Sequence, residues 1–64
     1  MKIGVFGIGL IGGSLSIQAR KHFTDPKIYG FDLSNKNLNI ALKLGLIDVF
    51  LDTNEIKNLN LILV

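Results

Sequence analysis

Three glycines and one aspartate have types and spacing that could do chemistry. Gly7, Gly9 and Gly12 fall in the pattern G-x-G-x-x-G, directly after an apolar run, and Asp32 lies 20 residues beyond Gly12. A pyrophosphate carries two negative charges and needs donors that do not clash with it. Backbone N–H groups at the start of a helix supply such donors, and the helix dipole adds positive potential. In this pattern Gly7 permits a tight turn, Gly9 lets phosphate approach the backbone, and Gly12 lets the helix pack against the strand. The N–H groups of Leu10 and Ile11 are the expected phosphate contacts. Asp32, at the end of a second strand, can accept ribose hydroxyls and repel a 2′-phosphate. Leu33 follows it where an arginine would favour that phosphate, so NAD is expected over NADP; Lys36 is the nearest cation. The cofactor-binding candidates are therefore Gly7, Ile8, Gly9, Leu10, Ile11, Gly12 and Asp32. Two blander readings stand beside this one: a glycine-rich turn that binds nothing, and an aspartate that caps a helix or is only solvated.

Other chemistries find little support. No Gly-Lys-Ser/Thr follows the glycines, so this is not a Walker phosphate loop. Without cysteine there is neither a disulfide framework nor a thiolate. His22, the one histidine, belongs at the exposed end of the first helix, where a cation suits the dipole. Asp48 and Asp52 flank a short strand and read as capping and turn residues. Tyr29 and Phe31 read as core or adenine-pocket residues. No residue is assigned to catalysis or to a metal.

The elements that must hold the glycines and Asp32 follow from pattern. Residues 2–6 form a first strand, residues 7–10 the turn, and residues 10–22 a helix. The helix's inner face is Gly12, Leu15, Ser16, Ala19 and Phe23, small at its start and larger towards its end. Gln18, Arg20 and Lys21 face outward, and Ile17 is apolar on the outer side. Pro26 ends this unit, and residues 27–31 form the second strand. Ser34 is an N-cap for a helix over 35–44 whose inner face is Leu38, Ala41 and Leu42, with Gly45 as a left-handed cap. Residues 49–51 form a short third strand. Asp52 to Glu55 offer capping chemistry for one helical turn, and residues 59–64 form the fourth strand. The order predicts an α/β, Rossmann-type parallel sheet, β-α-β-α-β-(short helix)-β, the N-terminal half of a doubly wound domain.

Composition bounds the reading. A chain of 64 residues buries only about 60% of its unfolded surface, so it is marginal alone. Yet 48% of its residues are hydrophobic and its mean hydropathy is +0.45. Strands covered on both faces read as such continuous apolar runs. We therefore expect an incomplete piece of a longer protein, without its substrate and dimerisation domain. The net charge of +2 is scattered along the chain, which argues against nucleic acid and gives no reason to invoke a membrane. No apolar run approaches the ~20 residues of a membrane span, and no cleavage site marks a signal peptide, so a cytoplasmic protein is expected.

The loop is more specific than its glycines. The run Gly7-Ile8-Gly9-Leu10-Ile11-Gly12-Gly13-Ser14-Leu15 resembles the N-terminus of the prephenate dehydrogenases. Two further stretches agree, Ile28-Tyr29-Gly30-Phe31-Asp32 and Ala41-Leu42-Lys43-Leu44-Gly45-Leu46-Ile47-Asp48. The resemblance spans essentially the whole chain, and arogenate dehydrogenases are close relatives. It implies a Rossmann domain followed by a mostly helical domain that forms a homodimer. It implies oxidative decarboxylation of prephenate to 4-hydroxyphenylpyruvate in tyrosine biosynthesis, with hydride passing to NAD or NADP. Only Gly7, Gly9, Gly12 and Asp32 carry over; the family's catalytic histidine and substrate-binding arginine have no counterpart here. From another functional class, a nucleotide-sensing Rossmann module of a regulatory or transport protein would share the same glycines and strand-end acid.

Overall fold

In a computed structural model the chain runs β1 (Lys2–Phe6), α1 (Leu10–His22), β2 (Lys27–Phe31), α2 (Asn35–Lys43), β3 (Val49–Phe50), a 3-10 helix (Thr53–Asn58) and β4 (Leu61–Leu63). The structure describes residues 1–9 and 13–64; of residues 10–12, which open α1, no side chain is described. The four strands form one parallel sheet in the order β3-β2-β1-β4. This is the predicted α/β, Rossmann-like arrangement. The strand order also places a reversal: β1, β2 and β3 step one way across the sheet, and the chain then returns to lay β4 on the other side of β1.

Alternation along the strands sends Ile3, Val5 and Ile28 to one face, where each is fully buried. They join Ile8, Ala19, Leu38, Ala41 and Ile47 in a single core, with Phe23, Leu46, Leu61 and Leu63 packed against it. Burial of this kind contributes about 25 cal/mol per Å² of apolar surface, and it is what holds both helices to the sheet. Gly30 makes room on this face. A Cβ there would come within 2.8 Å of Ile47 Cδ1 and Cγ2, so Ile47 lies flat over the strand only because position 30 has no side chain. The opposite face carries Tyr29, Phe6 and Phe31, with Leu59 seated against Gly4.

Most of the expected caps and faces are present. Ser16 and Ala19 of α1 are buried, Leu15 and Phe23 are half-buried, and Ile17 is exposed. Ser34 Oγ accepts from Asn37 N at 3.2 Å, and Asp52 Oδ1 from Asn54 N at 3.0 Å. Gly45 adopts φ +76°, the left-handed cap. Three expectations are corrected. Leu42, expected on the inner face of α2, is 41% exposed. The turn at Gly45 folds the following loop back, Leu46 N donates to Ala41 O at 2.9 Å, and Ile47 fills the core position instead. Arg20, expected to face outward, is half-buried because it reaches across to that same loop. The third and fourth strands are shorter than the expected 49–51 and 59–64, since only Val49–Phe50 and Leu61–Leu63 find ladder partners, and α2 ends at Lys43 with Leu44 as its C-cap.

Candidate functional site

The glycine loop emerges at the C-terminal end of β1, where the strand order reverses between β1 and β4. In open α/β sheets the crevice for ligands lies outside the strand ends at such a reversal. Strands β1 and β2 end level, with Phe6 opposite Phe31, and Gly7 N extends the ladder by donating to Phe31 O at 2.8 Å. Gly7 then turns at φ +80°, a conformation that costs other residues roughly 1–2 kcal/mol. Ile8, 4% exposed, anchors the loop in the core. Gly9 is the N-cap of α1 with an extended backbone, and no side chain closes the helix end. A Cβ built on Gly9 would meet nothing within 4 Å. The glycine is therefore not demanded by the fold's own packing. Gly9 lines a second depression, with Asn37, Ile40 and Leu44 of the α2 side, rather than the groove at Asp32.

Asp32 is half-buried immediately after β2. Its Oδ1 accepts from Ser34 N at 2.8 Å, and its Oδ2 has no partner among the described residues. The alternative reading of Asp32 as a local cap is thus realised in one oxygen only. An open groove of about 360 Å³ is lined by Phe6, Gly7, Phe31, Asp32, Leu33 and Val64. Gly7 and Asp32, chosen from sequence for two ends of one ligand, therefore share one groove. Its floor is the Phe6–Phe31 ring pair, with centroids 5.6 Å apart and planes tilted by 42°. Leu33 is 95% exposed beside the carboxylate. Lys36 is exposed in the first turn of α2 and makes no ion pair among the described residues.

The remaining candidates fall as follows. Ile8 faces the core rather than the groove. Leu10, Ile11 and Gly12, expected to touch phosphate and to pack the helix, lie outside the described residues. Gly13 is the described glycine that packs α1, with Leu46 Cδ1 3.3 Å from where its Cβ would be; its place beside Gly12 was the available signal. Tyr29 and Phe31 separate: Tyr29 is buried, and Phe31 lines the groove. His22 is exposed at the far end of α1. Asp48 serves the opposite end of the sheet, accepting from Ile28 N at 2.7 Å and from Arg20 Nη2 at 3.2 Å. What residue types alone did not reveal is the contribution of Phe6, Leu33 and Val64 to the groove. Among the described residues there is no cluster able to hold a metal ion, and no helix is long and apolar enough to cross a membrane.

No protein-family model matches the chain. It is similar to the prephenate dehydrogenase of Bacillus subtilis (strain 168), with 45% identity over 42 residues. That match covers 66% of this chain and 11% of the Bacillus protein, so the chain spans a small part of the relative it matches.

Proposed function

We propose that this chain is the dinucleotide-binding portion of a prephenate dehydrogenase, with NAD preferred over NADP. The observation that carries the reading is a conjunction: 45% identity over 42 residues to a dehydrogenase of that name, in a chain whose β1 ends at Gly7, which shares a groove with Asp32. The fit to the cofactor rests on the unfilled space at Gly9 and the uncapped start of α1. Gly7, Gly9 and Gly12 would cradle the pyrophosphate, with the N–H groups of Leu10 and Ile11 as donors. Asp32 Oδ2 would accept from the adenosine ribose and disfavour a 2′-phosphate. A bound nicotinamide would supply the hydride acceptor for oxidative decarboxylation of the substrate ring. The chain's own residues bind and orient. The catalytic groups, the substrate site for prephenate or arogenate, and a helical homodimerisation domain belong to other segments of the enzyme.

The test is an assay of the full-length protein with prephenate and with arogenate, each against NAD and NADP. Turnover of one of them with NAD supports the reading. Nucleotide binding without turnover of either would replace it by a nucleotide-sensing module, and absence of nucleotide binding would overturn both.

A further inference from the structure

Two hydrogen bonds meet on Ser34. Its backbone N–H donates to Asp32 Oδ1 at 2.8 Å, and its Oγ accepts from Asn37 N at 3.2 Å to cap α2. Its carbonyl also accepts from Leu38 N at 3.2 Å. The residue is held extended, at φ −94° and ψ 112°, and this conformation aims its N–H back at the preceding carboxylate. Capping is what keeps an N-cap residue in that non-helical conformation. The helix start and the rotamer of Asp32 are therefore coupled through one side chain. With Oδ1 occupied, Oδ2 is the carboxylate oxygen without a partner among the described residues, on a side chain that lines the groove.

We propose that Ser34 is a positioning residue: by capping α2 it fixes the Asp32 carboxylate so that Oδ2 is presented to the ribose, and it thereby sets the NAD-over-NADP preference. This rests on the reading of Asp32 as the ribose acceptor. The test is calorimetric measurement of NAD and NADP dissociation constants on the full-length protein, for wild type and for Ser34→Ala, Ser34→Thr and Asp32→Ala. Ser34→Ala should weaken NAD about fivefold, the size of one net hydrogen bond, with NADP changed less than twofold. Ser34→Thr, which keeps the capping oxygen, should restore the preference. Loss of the cap lowers the melting temperature in either case; a purely structural role would weaken both nucleotides in step. That outcome, or an unchanged NAD constant in Ser34→Ala, overturns the positioning role while Asp32→Ala still reports on the acceptor. An Asp32→Ala variant with unaltered preference overturns the acceptor assignment and the positioning role together.

Discussion

The two ends of the sheet are built differently. At the N-terminal edge of the strands, side chains tie the connections down. Asp48 accepts from Ile28 N and Arg20, Arg20 Nε donates to Gly45 O at 3.1 Å, and Asn60 Oδ1 accepts from Lys2 N at 2.7 Å while Asn60 N donates back to Lys2 O. At the C-terminal edge no such tie to the first loop is present among the described residues. A Cβ at Gly7 or Gly9 would meet open space, the N-cap of α1 is a glycine, and the tie at Asp32 engages a single oxygen. Under the proposed reading the contrast has a reason: donors already satisfied by the protein could not meet a phosphate, so few side-chain ties at the glycine-loop end would suit binding there.

The comparison breaks if substitutions at the two ends do the same thing. The largest effect is expected from Gly9→Val. Its branched side chain would occupy the open space and lower NAD affinity more than 100-fold, while far-ultraviolet circular dichroism stays close to wild type; retained binding would put the phosphate elsewhere. At the opposite end, Asp48→Ala leaves Ile28 N without its acceptor. It should cost about 1–2 kcal/mol, on the order of 10 °C in melting temperature for a chain of this size, with NAD affinity unchanged. A matching loss of affinity would show that the ends are not separable. Asp32→Asn is a finer probe than alanine, because its amide oxygen can still accept from Ser34 N. We expect no change in melting temperature, a roughly tenfold weaker NAD complex and a smaller loss for NADP, measured by calorimetry. Smallest is Arg20→Ala. This ion pair is partly exposed, with the two side chains 33% and 39% accessible, and losing it together with the exposed Nε–Gly45 O bond should cost about 1 kcal/mol or less, seen as a small shift in denaturant midpoint.

The two edges were not equally legible. The strand before the glycine loop, the turn at Gly7 and the place of Asp32 after β2 follow from local pattern, and Gly7 and Asp32 line one groove. The structural edge depends on partners far apart in the chain, such as Arg20 with Asp48, and nothing in the type of Arg20 distinguishes a solvated helix-end cation from one that reaches a loop. Leu42 failed for a related reason. Helical periodicity assigned it to the core, but the turn at Gly45 delivers Ile47 to the same space, and Gly30 is shaped to receive Ile47. Connection lengths alone do not say that β4 pairs with β1 rather than with β3; that order followed only from the Rossmann-type reading carried by the glycine pattern.

That pairing has a kinetic consequence. Lys2 and Asn60, which clamp β1 to the entry of β4, are 58 residues apart, and the intervening chain must be ordered before the contact repays its loop closure. The β1-α1-β2 unit can assemble from nearer contacts, while β4 adds from the end of the chain. During synthesis, then, β1 emerges well before β4 and keeps that edge open until β4 follows. Parallel pairings of such long reach fold slowly and leave apolar strands exposed to other chains in the meantime. The strand that carries the glycine loop is thus the one whose second edge waits for a distant partner.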